Sequence, residues 1–256
     1  MDLAAGYREH PPPAALAAAV SCVWTRVTPA AGVPPTRVLP DACVDLIWQQ
    51  NRGVFVAGPD TGPVFDALPP GTVLAGVRLR PGAAGAALGL PPSALLNQRT
   101  DAAELRGELL PVGPATALLA RLPGSLPPGV ALRRLTQTAG EMATAGPPDR
   151  LVAEAVRALA RPGSRVGAVA EDLGISGRQL HRRCCAAIGY GPVLLRRVLR
   201  FRRFVSQIDS GRPADLAAAA ADVGYADQAH LTRDSVEFGG LPPAALARAR
   251  RQGGTP

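Results

Sequence analysis

The chain has 256 residues, enough for two modest domains each with a core of its own, and its 47% hydrophobic content is ordinary for a globular protein. No apolar run approaches the ~20 residues that cross a bilayer, and the N-terminus lacks a basic region followed by an apolar stretch, so a cytoplasmic location without a membrane partner is expected. All 28 basic residues are arginine; 17 of them, against 10 acids, fall in residues 149–256, which carry +7 of the overall +8. A basic segment joined to a near-neutral one suits a polyanion-binding module attached to a regulatory domain.

Residues 1–110 read mainly as short strands broken by turns. Val20–Val27, Thr36–Leu39, Val44–Gln49, Val54–Gly58 and Val73–Leu79 are β-prone, and turn signals rich in Pro, Gly and Asp separate them. Val44, Leu46 and Trp48 alternate with Asp45, Ile47 and Gln49, the period of two that a sheet imposes. From residue 81 to 96 the composition turns to Ala and Leu, which predicts helix, and further helices are predicted over 115–122 and 130–142. Ala145-Gly146-Pro147-Pro148 is the best linker in the chain. It divides an expected effector-binding or dimerisation domain, 1–145, from a second domain, 149–256. The expected fold is therefore multidomain: an N-terminal α+β domain with a small β-barrel or sheet, then an all-α domain.

The second domain carries one pattern twice. Val166–Leu173 is a short amphipathic helix; Gly174 suits the left-handed residue that ends a helix, and Ser176 is a good N-cap for a helix over 177–187. Leu180, Cys184 and Ile188 face inward on that helix, leaving Arg178, Gln179, His181 and Arg182 near its exposed N-terminal half. Fifty residues later a helix over 215–223, capped by Asp215, a turn at Gly224-Tyr225-Ala226 and a helix over 227–238 repeat the arrangement, with Gln228, Ala229, His230, Thr232 and Arg233 in the equivalent places. A recognition helix reads base edges through its N-terminal residues, and arginine and glutamine suit guanine and adenine. Between the units a longer helix is predicted over 192–208, opening with Pro192 at its first turn. Arg196, Arg197, Arg200, Arg202 and Arg203 decorate it and include candidate phosphate contacts.

These residues carry a family resemblance. Val169-Ala170, Leu173-Gly174-Ile175-Ser176, Leu180-His181-Arg182, Gly189-Tyr190-Gly191-Pro192, Leu199-Arg200-Phe201, Val223-Gly224-Tyr225-Ala226-Asp227 and Gly240-Leu241-Pro242 occur in the order and spacing of the AraC-type DNA-binding domain. The resemblance implies two helix-turn-helix units joined by a linker helix, with double-stranded DNA as the partner. It places base-reading positions at Arg178, His181 and Arg182 in the first unit and at Gln228, Ala229, Thr232 and Arg233 in the second. Cys184 and Ser235 stand where the family usually has core phenylalanines, and alanine stands at a usual contact position, Ala229, so weaker packing and specificity are expected of the second unit than of the first. Residues 38–48, 56–61 and 76–83 resemble the N-terminal domain of a poorly characterised group of AraC-type regulators. That likeness implies a small-molecule effector or a homodimer contact, the latter through the N-terminal domain or the helices of 114–143.

The N-terminal segment offers fewer chemical cues. Cys43, Trp48 and Arg78 are the candidate effector-binding residues. Cys43 reads either as a sensor thiol or as a half-buried cysteine at a strand start, Trp48 and Trp24 as pocket lining or core, and Arg78 and Arg80 as anion ligands or surface charges. Cys22, Cys43, Cys184 and Cys185 lack metal-ligand spacing, and Asp41 and Asp45 do not form a catalytic carboxylate pair, so neither metal nor cofactor nor enzymatic activity is expected. The chain reads as a sequence-specific transcription regulator. The competing reading is a DNA-repair protein that accepts alkyl groups on Cys43.

Overall fold

The computed structural model describes residues 5–32, 34–106, 114–211 and 216–253. Its N-terminal part is built on an antiparallel six-stranded sheet. In chain order the strands of the whole region are β1 (Gly6–His10), β2 (Val20–Val27), β3 (Thr36–Val38), β4 (Val44–Gln49), β5 (Gly53–Ala57), β6 (Val64–Asp66), β7 (Val73–Leu79) and β8 (Arg99–Asp101). The main sheet runs β1-β2-β7-β4-β5-β8, and β3 pairs with β6 in a separate two-stranded ribbon. Five of these strands lie where the sequence pattern predicts them. β1, β6 and β8 were not foreseen: they are three to five residues long, and β1 is largely exposed, so none shows a clear alternation.

The alternation in β4 separates two environments. Val44, Leu46 and Trp48 enter a core with Val54, Val56, Ala75, Val77 and Leu79, all on one face of the sheet. Two helices cover that face, α1 (Ala84–Leu88) and α3 (Pro128–Ala145), with a short α2 (Pro114–Leu119) between them in sequence. α3 presents Ala131, Leu135, Ala139 and Met142 at helical spacing, and all four are fully buried. A buried Leu or Met side chain stabilises the fold by about 1.5–3 kcal/mol. The predicted helix over 81–96 is two pieces, α1 and a 3₁₀ turn at Pro92–Leu95, because Gly89 ends α1 in the left-handed conformation (φ 68°) and Pro91 follows.

After Gly146 the chain is helical throughout the described residues: α4 (Arg150–Leu159), α5 (Val166–Asp172), α6 (Gly177–Ile188), α7 (Pro192–Asp209), α8 (Leu216–Asp222), α9 (Gln228–Gly239) and α10 (Pro243–Gly253). Asp149 caps α4 by accepting from the amides of Leu151 and Val152, and its other oxygen pairs with Arg183 of α6. α7 is the axle of this unit. Leu195, Val198, Phe201 and Phe204 are fully buried, and Phe238 of α9 packs against Phe201 with ring centres 5.6 Å apart. The expected cap of α8, Asp215, lies outside the described residues.

The two parts meet along glycines. A Cβ at Gly85 would lie 2.9 Å from the Ala186 carbonyl oxygen near the end of α6, and one at Gly189 would crowd Pro92 and Ser93. Gly240, beyond α9, faces Pro63 and Phe65. Leu39 and Ala42 leave the sheet region to join the hydrophobic core of the helices. The sheet unit thus touches the C-terminal ends of both α6 and α9 and leaves their N-terminal ends uncovered.

Candidate nucleic-acid interface and adjoining cavity

α5–α6 and α8–α9 are joined by the same turn. At the first, the amide of Gly174 (φ +66°) donates to Glu171 and that of Ile175 to Ala170; at the second, Gly224 (φ +87°) donates to Ala221 and Tyr225 to Ala220. This is the double hydrogen bond of a Schellman motif, which needs a left-handed residue and therefore favours glycine. The following helix then starts on a capped N-terminus. Ser176 accepts from the Gln179 amide while the Gln179 side chain accepts from the Ser176 amide, a reciprocal capping box. Asp227 accepts from both the amide and the ring Nδ1 of His230, each at 2.8 Å. These bonds hold the Asp227 carboxyl below its ordinary value.

The caps sort the predicted contact residues. Arg178 and Arg182, one turn apart on α6, are exposed and make no hydrogen bond or ion pair among the described residues. Gln179 is held by its capping box. His181 is exposed but turns back along α6: its Nε2 lies 3.5 Å from Cys185 Sγ, and a Cβ at Gly191 would strike its ring. On α9, Gln228, Ala229 and Arg233 are exposed, while Thr232 donates its hydroxyl to the Gln228 carbonyl oxygen at 2.9 Å.

The α7 arginines divide as well. Arg196 and Arg233 line an open groove with Arg165 and His230. Arg196 donates to the Ser164 carbonyl oxygen, and burial together with neighbouring Arg200 lowers its pKa, an environment that an added anion relieves. Arg200 lines the same groove but is largely buried. It stacks on the Tyr225 ring at 3.9 Å and joins Arg197 in clasping Asp234, a carboxylate whose side chain is only 4% exposed. Arg200, expected from the sequence as a phosphate contact, is thus engaged within the fold by Asp234, which it shares with Arg197. Sequence reading missed Asp234: a lone acid on a polar helix gives no sign that it points inward.

Residues 169–249 match the family described as "Helix-turn-helix domain", over the segment that holds both turns and both caps. The chain carries an AraC-type helix-turn-helix domain. Upstream of the AraC-type domain, residues 8–101 match the family described as "Domain of unknown function (DUF6597)". No curated protein matches the chain. Among solved structures, ToxT from Vibrio cholerae O395 aligns over 95% of this chain and 97% of its own at 8% identity, with a TM-score of 0.44. An apo ToxT variant from strain SCE256 covers 88% and 97% at 7% identity, also with a TM-score of 0.44. The wild-type protein of that strain, bound to an unsaturated fatty acid, covers 88% and 93% at 10% identity, with a TM-score of 0.41.

Between the sheet and the AraC-type domain lies a cavity of about 580 Å³. The sheet face opposite α3 forms its floor, with Trp24, Ile47, Phe55 and Leu74 as the apolar part. Arg202, Val205, Ser206 and Asp209 of α7 and Arg250 of α10 complete the wall. Cys43 and Arg78, two of the three residues expected at an effector site, line the cavity. Trp48 does not. It is fully buried on the other face, where its Nε1 donates to the Pro123 carbonyl oxygen at 3.0 Å, because one residue along a strand reverses the direction of the side chain. Trp24, which the sequence grouped with it, is the tryptophan of the cavity. Arg78 is not a surface charge: its guanidinium reaches Glu9, Asp41 and Asp45 at 3.2 to 3.5 Å. Burial raises the Asp45 pKa, Arg78 opposing, and pushes the Cys43 thiol well above its usual value. Among the described residues no cluster has the makings of a metal site, and no helix is long and apolar enough to cross a membrane.

Proposed function

We propose that the chain is a sequence-specific transcription regulator in which α6 and α9 enter successive major grooves and the cavity receives an effector. In this reading residues 1–145 form the sensing domain and 149–256 the DNA-binding domain. The observation that carries it is the repeated Schellman turn and cap, which leaves the side chains of Arg178 and Arg182 on one helix and of Gln228 and Arg233 on the other without partners among the described residues. α7, at 18 residues, spans about 27 Å, comparable with the roughly 34 Å of one duplex turn. Arg178 and Arg182 read bases; Arg165, Arg196 and Arg233 meet phosphates. The cavity is suited to regulation because α7, which joins the two units, supplies part of its wall.

Cys43 fits poorly as an alkyl acceptor. A nucleophilic thiol is made reactive by a lowered pKa, and burial here does the reverse. The test is DNA binding by the full chain at sites recovered by genome-wide mapping. Affinity should fall steeply with salt, and Arg178→Ala with Arg182→Ala should reduce specific binding to the non-specific level. Unchanged site preference in that double variant would refute the assignment.

A further inference from the structure

We propose that the cavity takes a monocationic, largely apolar small molecule, its cationic group seated among Glu9, Asp41 and Asp45 beside the rings of Tyr7 and Trp24. This rests on the cavity being the effector site and adds the chemical class of the ligand.

The charges of the lining do not cancel at one end. Arg26 pairs with Asp66, Arg99 with Asp60 and Arg250 with Asp209, one acid to one base in each case. Arg78 alone faces three carboxylates, Glu9, Asp41 and Asp45. With Asp45 ionised two negative charges are left over, and one remains even where burial keeps Asp45 protonated. Among the described residues the one lining arginine without an ion-pair partner is Arg202, which is exposed on α7 and screened by water. Enclosed charge without compensation is costly, and a ligand cation at this end removes the cost. An anionic group there would face the surplus carboxylates and find only Arg202.

The aromatic groups beside the carboxylates point the same way. β7 has a glycine, Gly76, under the Trp24 indole; a Cβ there would lie 2.1 Å from the ring. The missing side chain lets the indole lie against β7 while its Nε1 donates to Asp45 Oδ1 at 2.7 Å. The Tyr7 ring stands 5.6 Å from that of Trp24, tilted by 42°, and its hydroxyl donates to Glu9. Aromatic faces next to carboxylates attract an ammonium group through both ring quadrupole and charge. Ile47, Phe55 and Leu74 offer an apolar bed for the rest of the molecule, and about 580 Å³ suits a ligand of drug size.

The experiment uses the full chain and three probes of one shape, para-tert-butylbenzylammonium, para-tert-butylbenzyl alcohol and para-tert-butylbenzoate, followed by calorimetry and tryptophan fluorescence. The ammonium should bind at least about tenfold more tightly than the other two. Glu9→Gln, at the half-exposed edge of the cluster, should lower its affinity about three- to tenfold and leave that of the alcohol unchanged. Ile47→Trp fills the cavity and should abolish binding of all three; Ala57→Leu serves the same purpose if that variant does not fold. Tighter binding of the benzoate, or equal binding of alcohol and ammonium, overturns the cationic class while the cavity stands. Binding of none of the probes, or binding that survives both filling variants, overturns the cavity as an effector site.

Discussion

In the first helix-turn-helix unit, Ser176 and Gln179 close the cap between themselves, and Arg178 and Arg182 project from α6 with no hydrogen-bond or ion-pair partner among the described residues. In the second, His230 closes the cap, Thr232 bonds back to its own helix, and Asp234 is gripped by Arg197 and Arg200 of α7. The first unit turns two arginines of one helix face outward, whereas the second, besides its exposed Arg233, receives two arginines of α7 on Asp234. The backbone plan is shared to the level of individual hydrogen bonds, so the difference lies in which side chains remain free. In the proposed reading the first unit discriminates bases, while the second is bolted to the connector and contributes chiefly position.

The sharpest way to break this contrast is Asp234→Ala. It leaves two arginine side chains without their buried carboxylate and should destabilise the protein by about 3–5 kcal/mol, read as a loss of thermal stability. An equal loss from Arg182→Ala would show that the first unit is anchored in the same manner.

Base discrimination should show the opposite order. Arg182→Ala should cost about 1–3 kcal/mol at one base position and relax specificity there, measured by competition with substituted sites. Arg233→Ala should weaken all sequences alike and reduce the salt dependence by about one phosphate contact. If Arg233→Ala relaxed specificity more than Arg182→Ala, the two units would have to exchange roles.

The caps give the smallest effect. Ser176→Ala should cost about 1 kcal/mol at any pH, since its hydroxyl does not titrate. Asp227 differs because its carboxyl is held below the ordinary 3.8, mainly by the His230 amide. Its contribution is fully present above that ordinary value and is lost as pH falls through the lower folded value. Hydrogen exchange in acid should therefore loosen the start of α9 before that of α6. Simultaneous loosening would show that the caps are not the source of the difference.

Local geometry explains what could be read without coordinates. A left-handed glycine followed by a capping side chain forms within a few residues, so both turns, both recognition helices and the exposure of Arg178 and Arg182 were visible in the chain. The strands with clean alternation were visible for the same reason. Trp48 marks where such reading stops. Alternation tells which residues share a face, but the covering elements decide which face is core and which is cavity. Here α3 covers the face of Trp48, and the cavity falls to Trp24, Ile47 and Phe55.

By itself, then, the sequence determined the paired helix-turn-helix plan, the basic character of its domain and the strand-rich character of what precedes it. Those features depend on neighbours a few residues away or on composition. Only the tertiary structure decided that Arg200 serves Asp234, 34 residues distant, that Arg78 gathers three carboxylates, and that α7 closes a cavity over the sheet. These are pairings between distant segments, and a charged side chain carries no local mark of the partner that packing will bring to it.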